Sequence, residues 1–299
     1  MTIRQNHVLF LALLVLGAAP LSASQKYDAN GILIQVDQSH QTITVSCKEI
    51  PGYMEAMTMS FPVRDPKTLD HLEPGTAIDF SLVVDKNSSY ADNVRPHPFE
   101  SLDLDPTQAR RYKLMEQAIA TRSAADVLRV GQPVPDFTLT DQTRQRVSLS
   151  QFSGKVVAIT FIYTRCPRPD YCVLLSNNFG LLQRRFPSQM GRDLILLTIV
   201  IDPEHDQPES LANYARTWKA DARTWHFLTG PLPDIQRLCR KFDMAFYPDE
   251  GLLVHSFHTV VIDRQGKLAA NLEGNDFTTR QLGDMVQSII ANAKSAGAE

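Results

Sequence analysis

Between residues 31 and 85 apolar and polar positions alternate in short bursts. Gly31-Ile-Leu-Ile-Gln-Val-Asp37 and Gln41-Thr-Ile-Thr-Val-Ser-Cys47 read as two strands, with a turn-rich gap from Asp37 to His40. Met57-Thr-Met-Ser-Phe-Pro-Val63 alternates as well. Ala77-Ile-Asp-Phe-Ser-Leu-Val-Val84 gives a fourth strand, introduced by the Pro74-Gly75 turn. Asp65-Pro66 opens a short helical turn that reaches Leu72. Short strands at close spacing with turn signals between them predict a small all-β barrel. From Lys86 to Pro106 the pattern weakens and Asn, Ser, Pro and Asp dominate, which reads as a linker. Asp105-Pro106 then has the form of an N-cap followed by proline at the first helical position, predicting a polar spacer helix over 106–128.

A different pattern starts near Gly131. Val147 to Leu149 is a short strand, and Lys155-Val-Val-Ala-Ile-Thr-Phe-Ile-Tyr163 is a continuous apolar run, as expected of a central strand covered on both faces. Leu194-Ile-Leu-Leu-Thr-Ile-Val-Ile201 is a second such strand, and Trp225-His-Phe-Leu228 a shorter one. Helices are predicted over 174–186, 208–218, 233–242 and 277–293. Thr259 to Asp263, the turn Arg264-Gln-Gly266 and Lys267 to Leu272 form a hairpin. Strands that alternate with helices and end in a hairpin indicate an α/β domain with a mixed sheet.

The chain has 299 residues, enough for two domains, and its 43% hydrophobic and 21% charged content suits globular cores. The net charge of −3 and the lack of any Lys/Arg block give a nucleic-acid or anionic-membrane partner no electrostatic support. The first 24 residues read as an export signal. Arg4 supplies the positive charge, an apolar run extends from Val8 to Ala19, Pro20 ends it, and Ser22, Ala23 and Ser24 offer a cleavage site. The run is shorter than the ~20 apolar residues that span a bilayer. The expected location is the periplasm, with membrane association only if the signal is retained. Four cysteines are too few for a disulfide scaffold and are read one by one.

The chemistry concentrates in Thr164-Arg-Cys166-Pro-Arg-Pro-Asp-Tyr-Cys172, between a buried strand and a helix. Functional residues in open α/β sheets gather at the carboxyl ends of strands. A cysteine at a helix N-terminus is biased towards thiolate. Two such thiols can close to a disulfide or chelate a soft ion such as Cu(I). Structural zinc would want four ligands. Cys239 lies on the apolar side of a helix and reads as buried and inert. Asp202 and Asp206 read as loop-shaping caps.

Four segments, Gly131-Gln-Pro-Val-Pro-Asp-Phe-Thr-Leu139, Phe161-Ile-Tyr-Thr-Arg-Cys-Pro167, Ile201-Asp-Pro-Glu-His-Asp-Gln-Pro-Glu209 and Val254-His-Ser-Phe-His-Thr-Val-Val-Ile-Asp263, resemble the Sco/SenC family in the same order. The resemblance covers about 131–293 and implies a thioredoxin-like fold. It also implies a copper site made by two cysteines after the first central strand and a distant histidine, roles that fall on Cys166, Cys172 and His255; His258 is the competing histidine. The family spaces its cysteines by three residues, whereas five intervene here. Thioredoxin-like reductases usually carry a cis-proline where this chain reads His255-Ser-Phe-His-Thr259, and the loss of proline is expected to open the site to a metal.

Met57 and Met59, two apart on a strand, point to one face, and antiparallel pairing could bring Cys47 close. Thioether plus thiolate suits Cu(I), although methionines alternating on a strand also serve simply to fill a core. The segment resembles small periplasmic copper-binding domains of the CusF type, which carry a Met-Thr-Met strand. Cys47 stands nearest the position of their histidine ligand, and Met54 or Tyr53 nearest that of an aromatic residue capping the metal.

The expected organisation is thus a signal over 1–24, an OB-like, CusF-type barrel over 27–95, a linker and helix over 96–130, and a thioredoxin-like Sco/SenC domain over 131–295. The expected activity is copper relay, with Cu(I) at Met57, Met59 and Cys47 and copper, as Cu(I) or Cu(II), at Cys166, Cys172 and His255. The resemblance implies a cytochrome c oxidase subunit as acceptor. Two enzymatic readings stand beside it. Cys166 and Cys172 could act as a redox pair in thiol–disulfide exchange, or the chain could be a peroxidase, since Gly131 to Phe137 also resembles peroxiredoxins; peroxide turnover would test the latter.

Overall fold

A computed structural model describes residues 24–86, 88–97, 113, 126–249 and 251–295. The predicted signal and nearly all of the predicted 106–128 helix lie outside the described residues. The N-terminal unit is a five-stranded antiparallel sheet built from β1 (Gln25–Asp37), β2 (Thr42–Cys47), β3 (Thr58–Pro62), β4 (Ala77–Val84) and β5 (Ser89–Pro96) in the order β3-β2-β1-β4-β5. The sheet curls until its edges meet, where Val63 bridges Ala91 and the Arg64 N–H donates to the Ala91 carbonyl at 3.0 Å. Leu33, Ile43, Val45, Phe61, Ile78 and Leu82 fill the interior. The strand β5 corrects the reading of 86–106 as linker. Its Ser, Asn and Pro hide the pattern, but Ala91 and Val94 enter the core while the polar residues face out.

β1 is also longer than predicted and starts at Gln25. Its Ile32-Leu33-Ile34 run is buried throughout because the strand serves two cores. Leu33 points into the barrel, while Ile32 and Ile34 belong to the core of the second domain, joined there by Ala77. Burying an isoleucine contributes about 1.5–3 kcal/mol.

The second domain holds a seven-stranded mixed sheet in the order β14-β13-β8-β9-β10-β6-β7. Its strands are β6 (Thr138–Asp141), β7 (Arg146–Ser148), β8 (Val156–Ile162), β9 (Leu194–Val200), β10 (Trp225–Thr229), β13 (His258–Ile262) and β14 (Leu268–Glu273). β8, β9 and β10 are parallel and wholly buried, which explains their continuous apolar sequences. A separate hairpin, β11 (Phe246–Asp249) with β12 (Leu252–His255), precedes β13; the sequence reading did not foresee it. Helices α1 (Leu174–Arg185), α2 (Pro208–Thr217), α3 (Leu232–Lys241) and α4 (Thr279–Ser295) complete a thioredoxin-like α/β domain. Their boundaries match the predicted helices to within two residues. α2 starts with proline and α3 has one in its first turn, where a missing N–H has no intrahelical partner to lose.

Candidate metal centre

The carboxyl end of β8 delivers Tyr163, Thr164, Arg165 and Cys166 in succession. Two aspartates of the segment after β9 clamp this delivery. The Asp206 carboxylate accepts the Thr164 N–H at 3.0 Å and the Thr164 hydroxyl. The Asp202 carboxylate accepts Arg165 at 2.7 Å and holds His205 Nδ1 at 2.9 Å. The sequence assigned these aspartates to shaping their own loop; Asp202 does so through His205, but both also reach the cysteine loop after the neighbouring strand. Burial raises the Asp206 carboxyl above its ordinary range even though Thr164 donates to it.

The five residues between the cysteines are absorbed by a π-helical turn, Pro169–Val173, that runs directly into α1. The wider turn tucks Cys172 into the core and leaves Cys166 half-exposed above it. The two thiols interact, and their environments push them apart. Cys166 is lowered to about 6, first by the hydrogen bond from Cys172 and then by the Arg168 and Cys172 backbone and the Tyr163 hydroxyl, all against burial. Cys172 is held well above its ordinary value, first by burial and then by the proton it shares with Cys166. Near neutrality the pair is a half-exposed thiolate backed by a buried thiol.

His255, at the end of β12, meets this pair from the far side. Its Nε2 lies 3.7 Å from Cys172 Sγ, and its Nδ1 lies 2.9 Å from the Ser256 carbonyl. A carbonyl can only accept, so Nδ1 carries the proton and the Nε2 lone pair faces the sulfur. Full burial lowers the imidazole to about 4, and it is neutral at neutral pH. Two ligands of one first-row ion, sulfur at ~2.3 Å and nitrogen at ~2.0 Å, sit roughly 3.5–3.8 Å apart at ordinary angles. The Cys172–His255 pair already has that separation. Among the described residues no three His, Cys, Asp or Glu side chains close into a metal-holding group. Cys166 therefore lies beside the pair without completing a three-ligand geometry.

Phe257 lies in the proline-free stretch between His255 and His258. Its ring packs edge-on against His255 and Tyr171, with centroids 4.8 Å away in each case. Tyr163 packs edge-on against His255 at 5.9 Å. These aromatic walls escaped the sequence reading, since Tyr163 merges into the apolar run of its strand while Tyr171 and Phe257 are single aromatics in polar stretches. His258, the competing histidine, has its Nδ1 engaged by Asn271 at 3.0 Å. Cys239 is buried in α3.

In the barrel the ladder sets Val45 opposite Met59, and the Cys47 N–H donates to the Met57 carbonyl at 2.9 Å. Cys47, Met57 and Met59 therefore lie at one end of the β2–β3 pair. Met57 is 43% exposed, Met59 is half-buried, and Cys47 is fully buried with its thiol pushed up to about 12, chiefly by desolvation. Gly31 faces Cys47 across the ladder, and a Cβ there would lie 2.5 Å from the Ser46 carbonyl oxygen, so only glycine fits. Tyr53 stacks on Tyr27 with centroids 4.1 Å apart, and Met54 bridges to Ile50.

Comparison with known proteins assigns both halves. The family model described as SCO1/SenC matches residues 128–291, and that of copper-binding periplasmic protein CusF matches residues 26–91. A SCO1 protein homolog of Bacillus subtilis is 26% identical over 167 residues, covering 54% of this chain and 82% of its own. A putative copper-binding protein of Stutzerimonas stutzeri is 27% identical over 144 residues, covering 46% of this chain and 68% of its own. Among solved structures, a SCO1/SenC family lipoprotein from Bacillus anthracis aligns with a TM-score of 0.48 at 22% identity, over 54% of this chain and 99% of that one. Bradyrhizobium japonicum ScoI with copper bound aligns with a TM-score of 0.45 at 21% identity, over 53% and 99%. With the family model spanning more than half its length, the chain belongs to the SCO1/SenC family.

Proposed function

We propose that this protein is an exported copper carrier that holds copper between Cys166, Cys172 and His255 and hands it to the copper centre of an oxidase subunit. The observation that carries this reading is the neutral imidazole whose free Nε2 faces the Cys172 sulfur at 3.7 Å. A dithiol needs no such third donor to exchange electrons, whereas a soft cation binds well to two thiolates and an imidazole. In this reading the Cys166 sulfur closes onto the ion, Cys172 gives up its proton, and the buried imidazole is ready without losing one. Met57 and Met59, with Cys47, form the first station, which takes Cu(I) on thioethers. The signal-like N-terminus and the CusF relationship support a periplasmic location. Anaerobic Cu(I) titration with X-ray absorption tests the reading. The expected result is a sulfur–nitrogen ligand set at the second domain that His255→Ala weakens at least tenfold. An all-sulfur site unaffected by that substitution overturns it.

The unequal thiols favour a second reading. The Cys166 thiolate would attack an acceptor disulfide and expel one acceptor thiolate. Cys172 would then lose its proton, attack Cys166 Sγ and release the second acceptor thiolate. Two electrons move from the carrier dithiol to the acceptor disulfide, and a carrier disulfide forms. Exchange that survives His255→Ala in a chain without copper affinity would favour this reading.

A further inference from the structure

The barrel strand that carries Cys47 is held by side chains of the other domain. The Gln281 Nε2 donates to the Ser46 carbonyl at 2.9 Å, and Arg280 donates to the Cys47 carbonyl at 2.7 Å. The Ser46 and Thr58 hydroxyls donate to Asp284 at 2.7 and 2.9 Å, and Lys48 pairs with Asp276 at 3.9 Å. Every residue from Ser46 to Lys48 is thus gripped from α4 or the loop before it. Gln281 is almost wholly buried, and its orientation is fixed, because its Oε1 accepts the Thr278 N–H at 2.9 Å in the helix cap. Asp284 is shared as well with Arg185 at 2.6 Å and Arg280 at 3.3 Å. The same loop reaches the dithiol. Asn275, next to Asp276, donates to the Asp170 carbonyl at 2.7 Å inside the cysteine turn. Around this polar grip Ile32, Ile34 and Ala77 fill the second domain's core. Gly75 lies so close to the Asn271 backbone that a Cβ would approach its carbonyl oxygen to 2.6 Å.

We infer that the thioredoxin-like domain is a built-in docking partner of the barrel, with Arg280 and Gln281 as positioning residues that hold the Cys47 strand and thereby set the affinity of the barrel's sulfur site for Cu(I). The docking half stands on geometry alone; the affinity half rests on the proposed barrel station. Neither Arg280 nor Gln281 donates a metal ligand, and they act through the backbone of Ser46 and Cys47.

The test uses the full chain with Cys166→Ser and Cys172→Ser, which leaves only the barrel station. A water-soluble carbodiimide, which joins an amine and a carboxylate in contact as an amide with loss of water, should link Lys48 to Asp276. Arg280→Ala with Gln281→Glu keeps the acceptor for the Thr278 cap but turns an oxygen towards the Ser46 carbonyl. In that variant the link should disappear and amide exchange over 46–48 should quicken at least tenfold. Exchange over Val156–Ile162 should stay slow, which shows that the domain remains folded. Cu(I) affinity, measured against a chromogenic chelator, should fall about tenfold and return with Arg280→Lys on the unaltered Gln281 background. Should the double variant fail to fold, Asp284→Asn serves as the second variant and should also quicken exchange over 46–48. Absence of the Lys48–Asp276 link in the parent chain, or unchanged exchange in the variants, overturns the docking. Cu(I) bound equally by parent and variant overturns the positioning role. A parent chain that forms the link and binds no Cu(I) overturns the barrel station and the affinity half together, and leaves the docking upheld.

Discussion

The barrel presents its sulfur on neutral thioethers and one sealed thiol, whereas the thioredoxin-like domain presents a half-exposed thiolate, a buried thiol and an imidazole. The contrast is one of protons. Methionine binds a cation without losing a proton, and its affinity is blind to pH. Cys47, pushed up to about 12, must shed a proton at any ordinary pH before it can ligate. At the second site Cys166 has already lost its proton near neutrality, and only Cys172 has one to give. Burial is common to Cys47 and Cys172. What separates the sites is the neighbour, since Cys172 donates to a second sulfur, whereas the Cys47 thiol faces the Val45 carbonyl, 3.8 Å away, and the charge of Arg280 does not offset its burial. A soft donor set can therefore be built to keep its affinity across pH or to couple it to protons.

The largest effect that would sharpen this comparison is in the buried imidazole. The folded-state value of His255, about 4, lies below the ordinary 6.5, so below 6.5 the unfolded chain binds the extra proton first. Its contribution is thus flat above pH 6.5 and turns against folding as pH falls from 6.5 to 4. The full shift corresponds to roughly 3 kcal/mol. Asp206, raised in the fold, acts in the opposite sense over the acid range, so the measurement must be a difference. Denaturant melts of the parent and of His255→Leu should diverge progressively below pH 6.5; parallel curves would show that the imidazole is not sealed.

A smaller effect tests the thiolate. With Cys172→Ala the leading cause of the lowered Cys166 value is gone. The pH midpoint for alkylation of Cys166 should move from about 6 towards the ordinary 9, and the rate at pH 7 should drop roughly tenfold. Cys47 should not react in either native chain. Equal labelling of Cys47 and Cys166 at pH 7 would erase the distinction between the sites.

The sequence makes the β8, β9 and α1 elements plain because strands buried on both faces can only be apolar and the cysteines sit at a strand end. It brings out His255 only through resemblance, since an isolated histidine in a polar-looking stretch carries no period. β5 and the β11–β12 hairpin escape because Ser89, Asn93 and Pro96, like Tyr247 and Pro248, satisfy edge strands without alternation. The double burial of Ile32 and Ile34 is visible as an unbroken apolar triplet, but its partner in the other domain is not. Nothing in the spacing of Ser46 and Gln281, more than 200 residues apart, announces that they meet.

The last of the expected effects concerns the clamp on the cysteine loop, which comes from within its own domain, whereas the barrel's methionine strand is held from the other domain through Thr58 and Asp284. Asp206 satisfies both the N–H and the hydroxyl of Thr164, two residues before the thiolate. Asp206→Ala leaves two partly buried donors without that acceptor and should cost about 1–3 kcal/mol. Asp206→Asn keeps an acceptor for the N–H and can donate to the hydroxyl, so it should cost less and also remove the opposing acid-range dependence. If the clamp positions the cysteine loop, Asp206→Ala will also slow Cys166 alkylation at pH 7 beyond what its stability loss explains, because the backbone N–H groups that support the thiolate will no longer be held in place. A variant as destabilised as predicted but with the parent's alkylation profile would reduce Asp206 to a stability residue and leave the lowered Cys166 value to Cys172 alone.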